Sequence, residues 1–206
     1  VDPFPFIDRY GLDALRYYLC REIRFGDDGT FTDEGFHQRY TSELANDFGN
    51  LLSRVTKMIE RYRDGVVPTD PGGDAALAAE ADDTRDQVVE LFGRDEVTGA
   101  VDAAWAWVRR LNRLVEEREP WSLAKDDARA GDLDQALFSV ANGLRIAAML
   151  LWPVIPESCE AVLGALGEPA DAVALGLARW DAGTPGARVV PPEPLFPRIE
   201  VDEVAT

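Results

Sequence analysis

Histidine occurs once in these 206 residues, and cysteine and methionine twice each. The only lysines are Lys57 and Lys125. Each shortage closes off some chemistry. The single histidine, His37, has polar neighbours and reads as an exposed helix residue rather than a catalytic base. Cys20 and Cys159 stand far apart and match no metal or redox spacing. Cys20 falls with Leu12, Leu15 and Leu19 on an apolar helical run, so it reads as core. A reducing compartment is the default for such a chain, and the cytoplasm is the expected location. No apolar run is long enough to span a bilayer, and no signal-peptide pattern is present. There is no phosphate-binding glycine loop, Walker lysine or dinucleotide fingerprint. Nothing assembles a nucleophile with a base and an orienting group. The expectation is that this chain holds no catalytic residue, no metal site and no cofactor, and that it is inactive alone.

Acid is what the chain has in excess: 38 Asp and Glu against 21 Lys and Arg, a formal net charge of −17. That excludes wholesale binding to a nucleic-acid backbone, which leaves a basic footprint. Any RNA contact must be local, on a patch that stands out from an acidic body. Hydrophobic residues make up 46%, enough for a real core. The length suits one large domain, or a domain with a small appendage. The first residue is Val1, and the chain is expected to begin inside a longer protein.

Taken in order, Val1 to Pro5 should be extended because of its two prolines. Ile7 to Glu22 reads as one amphipathic helix burying Ile7, Leu12, Leu15, Tyr18 and Leu19. Phe25 to Phe31 is a turn-rich loop. Thr32 is a good N-cap, and Asp33 and Glu34 suit the positive end of a helix dipole. A long helix then runs to about Asp64, bent near Gly49, with Gly65 as C-cap and Pro68 barring continuation. After a loop over Asp70 to Asp74, helices are predicted over Ala75 to Glu96 and Val97 to about Glu117. The second should bury Val97, Val101, Ala104, Trp105, Val108, Leu111 and Val115, with Asn112 among them. A buried amide must find partners, so Asn112 should bond a neighbouring backbone. Pro120 ends that helix and Trp121 begins a short segment. Leu133 to Trp152 is the most hydrophobic helix and should be the most buried; Trp105 and Trp152 read as core. Glu157 to Leu166 is a short last helix. The tail from Gly183 to Glu200 is proline-rich and irregular, but Leu195, Phe196 and Ile199 should dock on something. No repeat or strand pattern stands out. The fold class is all-α, a helical bundle with an irregular C-terminal tail.

The long helix has two faces that disagree. At 100° per residue, Leu44, Phe48, Leu51, Leu52, Val55, Met58, Ile59 and Tyr62 share a broad apolar arc. Opposite them, Asn46, Asn50, Arg54, Lys57 and Arg61 form a narrow stripe. The arc is what a helix buries. The stripe is either a solvated face or a surface that reads an unpaired base, since amides and guanidiniums match its pairing edge. Trp121, likewise, is either a core residue under the Pro turn or a stacking platform.

Several blocks resemble methionyl-tRNA synthetases. YGLDALRYYL at Tyr10 to Leu19 looks like the segment after the active-site KMSKS loop of class I synthetases, a block shared with the valine, isoleucine and leucine enzymes. LANDFGNLLSR (Leu44 to Arg54) and NRLVEEREPWSLAKD (Asn112 to Asp126) are closer to the methionine family. PEPLFPRIE (Pro192 to Glu200) looks like the end of the compact body of its bacterial members. Thr69 to Glu96 carries no recognisable motif.

The resemblance implies two parts: residues 1–31 as a stem-contact segment following a catalytic domain, and residues 32–206 as the α-helical anticodon-binding domain. It also implies that Asn50, Arg54 and Trp121 recognise the cytosine opening the methionine anticodon, with Arg61 on a neighbouring nucleotide. Lys57 would be a weak backbone contact. The partners implied are tRNA(Met), including initiator tRNA, and the catalytic domain of the same polypeptide, in a monomer without membrane association. The complete enzyme would attach methionine to tRNA using ATP with Mg, with zinc in the catalytic part. No appended C-terminal tRNA-binding domain is expected. The rivals are the bundle of another class I synthetase (valine, isoleucine or leucine type) and a helical protein-interaction module without RNA binding.

Overall fold

The computed structural model describes residues 2–23, 29–69, 73–169, 174–183 and 185–199. Most of the predicted loop at Phe25 to Phe31 lies outside the described residues, as do parts of the loop at Asp70 to Asp74 and of the tail. The elements are α1 (Phe4–Tyr10), α2 (Leu12–Glu22), α3 (Asp33–Arg39), a π-helical segment (Tyr40–Gly49), α4 (Asn50–Arg63), α5 (Ala75–Gly93), α6 (Val97–Arg118), α7 (Pro120–Leu123), α8 (Ala130–Leu151) and α9 (Pro156–Ala165). Short 3-10 turns cover Asp127–Arg129, Leu175–Leu177 and Trp180–Ala182. The architecture is an all-α bundle; the only sheet-like pairing among the described residues is an antiparallel bridge between Val66 and Arg188.

The chain departs from the sequence reading first at its start. Phe4–Tyr10 is helical, because Pro5 occupies the first turn, where its missing N–H has no partner to lose. The expected single helix is broken at Gly11, whose φ of 88° only glycine adopts readily. The break turns α2 on its axis. Asp13, Ala14, Leu15, Tyr17 and Tyr18 are buried, whereas Leu19 is 39% exposed and Cys20 half-buried. Asp13 accepts the Ser158 N–H at 2.7 Å, supplying a cap for the first turn of α9.

α8 forms the core. From Ala136 to Leu151 every residue is buried, including Ser139, Asn142 and Arg145. α6 and α9 pack along it, and α5 packs along α6. Arg145 is 1% exposed and has no carboxylate in hydrogen-bond reach among the described residues. Instead its Nε donates to Asn142 Oδ1 at 2.9 Å, and its terminal nitrogens donate to the carbonyls of Leu177 and Arg179. Burial pulls its pKa below the usual arginine value, partly offset by Glu168 and Asp181. This cation thus ties the irregular 3-10 turns to the bundle. Trp105 is fully buried, but Trp152 is 37% exposed and its indole donates to Glu160 at 3.3 Å. Trp152 sits where α8 runs out, so the apolar run of the sequence ends past the core.

The long helix is continuous from α3 to α4 but is not α-helical throughout. Tyr40–Gly49 is wound as a π-helix, with one more residue in each hydrogen-bonded turn. The arc survives: Leu44, Phe48, Leu51, Leu52, Val55 and Ile59 are buried, with Met58 and Tyr62 half-buried. Each fully buried aliphatic or aromatic side chain here contributes about 1.5–3 kcal/mol. Tail residues Leu195, Phe196 and Ile199 pack on the core, as expected, with Phe196 buried.

Candidate nucleic-acid interface

α6 lies beside the π segment and α4, and polar pairs climb the seam between them. Arg109 approaches Glu43 at 3.7 Å, the Asn112 side chain donates to the Asp47 carbonyl at 2.9 Å, and Arg54 donates to Glu116 at 2.6 Å. The residue numbers rise together, so the two elements run in the same direction. Asn112 finds the backbone partner its burial demands, and it also bonds the Val108 carbonyl at 3.2 Å.

The seam is anchored at Glu43, which is 8% exposed. It accepts from the Tyr17 hydroxyl at 2.7 Å and from Arg39 at 3.1 Å, and it pairs with Arg21 at 3.4 Å. Burial alone would raise its pKa. The Tyr17 hydrogen bond, Arg21 and Arg39 outweigh burial and hold the carboxyl below its ordinary value. For Asp47, one turn on, burial outweighs the opposing pull of Trp105 and Arg109 and pushes its pKa up.

At the far end α6 stops abruptly. Glu119 is left-handed (φ 44°), its N–H bonded to Val115, and its carbonyl accepts from Ser122 and Leu123. One residue therefore both caps α6 and starts α7, and buried Pro120 and Leu123 pin the corner. This presents Trp121 at the mouth of the seam, half-buried and packed against the core on one side. The Arg54 guanidinium lies 6.0 Å from its ring centre. Asn50 is exposed, one turn before Arg54, and its amide faces Asn46 at 3.4 Å. Arg54 and Trp121 thus meet, with Asn50 on the same open helix face.

Lys57 and Arg61 continue that face, both exposed and neither in an ion pair among the described residues. Arg61 lies 5.6 Å from the Tyr62 ring, seven residues and roughly 10 Å along the axis from Arg54. It is therefore not part of the Arg54–Trp121 cluster. His37 differs from its sequence reading. It is half-buried, with Nδ1 3.1 Å from the Tyr10 hydroxyl, because the break at Gly11 brings Tyr10 against α3. The sequence signals Glu116 only through its place in the NRLVEEREPWSLAKD block, five residues before Trp121. Among the described residues no group of His, Cys, Asp and Glu could hold a metal ion. No described helix is long and apolar enough to cross a membrane.

Two family profiles account for most of the chain. Residues 1–56 match class I tRNA synthetases of the methionine type, and residues 71–206 match the anticodon-binding domain of methionyl-tRNA ligase. The chain is 39% identical to the methionine–tRNA ligase of Bacillus subtilis over 98% of its own length, and 41% identical to methionine–tRNA ligase 1 of Bacillus anthracis over 100%. It spans 31% and 32% of those relatives, about a third of each. Among solved structures, the free-state methionyl-tRNA synthetase of Mycobacterium tuberculosis superposes with a TM-score of 0.90 at 34% identity, covering 98% of this chain and 42% of that one. The same enzyme in complex with methionyl-adenylate gives 0.89 at 35% identity, covering 96% and 40%. The acidic bundle with one open, cationic helix face therefore belongs to the methionyl-tRNA ligase family, and residues 71–206 match that family's anticodon-binding domain.

Proposed function

We propose that this chain recognises the anticodon of tRNA(Met), initiator tRNA included, on behalf of a methionine–tRNA ligase. Trp121 stacks the first anticodon base, and Asn50 and Arg54 read its pairing edge. Cytosine offers one amino donor and two acceptors there; an amide oxygen and a guanidinium supply the complement. Arg61 reaches a neighbouring nucleotide, and Lys57 contacts the backbone. The observation that carries this reading is Arg54 beside a half-buried Trp121, on a helix face that continues through exposed Lys57 and Arg61 in an acidic protein. In the free chain Glu116 holds Arg54, so a base must exchange with a carboxylate that is itself exposed.

Residues 1–31 act as the stem-contact segment and residues 32–206 as the anticodon-binding unit of a monomeric cytoplasmic enzyme. The catalytic part of that enzyme would activate methionine with ATP and Mg and hold zinc. A methionyl-adenylate complex of a relative agrees with the use of ATP. Reaction chemistry would lie in that part, and this chain recognises.

The test is a titration of the chain with a methionine anticodon stem-loop and with stem-loops carrying each other first base. Tighter binding of the cytosine form supports the reading. Equal binding of all four, or none, overturns it.

A further inference from the structure

The π segment joins two regions with different tasks. Its upstream end continues α3, which packs through Phe36 and His37 against α1 and α2. Its downstream end is Gly49, next to Asn50, where the exposed stripe begins its α-helical run. Winding this stretch as α-helix would turn one end against the other by roughly 100° per residue taken up. The register of the segment therefore sets how Asn50 and Arg54 face relative to everything before residue 40.

The C-terminal tail touches both ends of this joint. At the upstream end the Tyr40 hydroxyl donates to the Pro197 carbonyl at 2.8 Å. The Tyr40 ring meets Phe196 edge-on at 5.9 Å and 89°. Burial raises the Tyr40 phenol to about 12, so it stays a donor at physiological pH. At the downstream end, Phe196 closes over Gly49. A Cβ there would lie 3.7 Å from Phe196 Cδ2 and 3.3 Å from the Leu44 carbonyl. Phe196 is 7% exposed, and Tyr40 is 3%. Between the two ends, Asn112 holds the Asp47 carbonyl from α6. One aromatic residue, 147 positions beyond Gly49 in the numbering, thus spans the segment from its first residue to its last.

We propose that Phe196 and Pro197 clamp the π segment in register, and that this makes Phe196 and Tyr40 positioning residues for the base-reading face. The proposal rests on the anticodon reading above. Neither residue needs to touch RNA. Their effect passes through Gly49 to Asn50 and, one turn on, to Arg54.

The test uses the whole chain with methionine anticodon stem-loops carrying each first base. Phe196→Ala is compared with Leu163→Ala, a buried α9 substitution that destabilises the bundle away from the joint. Both are measured at a temperature where each is folded. Phe196→Ala should lower the preference for cytosine by roughly five- to tenfold, the lower end of the range for one lost edge contact. Leu163→Ala should leave the preference unchanged. Tyr40→Phe, which deletes only the bond to Pro197, should fall between. Amide exchange supplies an arm independent of RNA: Phe196→Ala should speed exchange within Tyr40–Asn50 by about tenfold or more while α8 stays protected. A Phe196→Ala chain that keeps the wild-type preference and shows no selective exchange overturns the clamp. A wild-type chain without first-base preference overturns the base-reading assignment instead, and the exchange arm alone then decides the clamp.

Discussion

The Arg54 guanidinium lies 6.0 Å from the centre of the Trp121 ring, although 67 positions separate them. It also donates to Glu116 at 2.6 Å. The cation is therefore held at the ring by an exposed carboxylate, and exposed pairs of this kind contribute only about 0–1 kcal/mol. A base that offers stacking and an edge contact together can displace such a pair.

Trp121→Ala should weaken binding of every anticodon stem-loop by about 1–3 kcal/mol, whatever the first base, because every base has a face to stack. The fold should persist, since Pro120 and Leu123 rather than the indole pin the corner. Fluorescence titration with all four stem-loops checks this. Loss confined to cytosine would assign Trp121 to edge reading.

Lys57→Ala should act differently. As a backbone contact it should weaken all stem-loops alike and reduce the slope of log K against log salt by about 0.7, the value for one single-strand phosphate. Titrations at two or more salt concentrations measure it.

Glu43→Gln should destabilise the chain by about 3 kcal/mol near pH 7, since it leaves arginines facing a neutral amide in a buried site. The pH dependence has a definite sign. Glu43 titrates below its ordinary value of 4.5 in the fold. Its stabilisation is complete above the unfolded value and is lost as pH falls through the lower folded value. The gap between wild type and Glu43→Gln should therefore be full at pH 7, begin to shrink as pH falls past the ordinary value of 4.5, and close below the lower folded value. Asp47 runs the opposite way: its raised pKa means that protonation favours the fold as pH falls. Denaturant melts of both chains between pH 7 and pH 3 read the effect.

Asn112→Ala should cost about 0.5–1.5 kcal/mol, because it removes the side-chain hydrogen bond to the Asp47 carbonyl. Melting with amide exchange should place the loss in the π segment first. Uniform loosening of the bundle would argue that Asn112 is ordinary packing.

Much of this was readable from residue pattern. The arc of Leu44, Phe48, Leu51, Leu52, Val55 and Ile59 is legible because a helix with one buried face repeats every 3.6 residues. Asn112 was legible because a buried amide must be satisfied. The docking of Phe196 followed from apolar residues in a polar tail. Three features were not. The π winding of Tyr40–Gly49 is one: the segment is contacted by Phe196 and Asn112 from distant parts of the chain, which local periodicity does not register. The inward turn of Tyr17 in place of Leu19 follows from Gly11, which resets the helix phase. The Glu116 partner of Arg54 lies on another helix, and nothing in spacing pairs two exposed charges across a seam. Of the site, the residue types and their shared face were visible; the meeting of Arg54 with Trp121 came from the resemblance and is now seen in the fold.

The central claim is that Asn50 and Arg54 read the edge of the first anticodon base. The measurement is the affinity of Asn50→Ala and Arg54→Ala for stem-loops carrying each of the four first bases. The account predicts that the gap between cytosine and the other bases narrows by about 1–3 kcal/mol in each variant. If both variants instead lose affinity uniformly, with base preference intact, the face is an electrostatic landing strip and the base-reading roles are wrong.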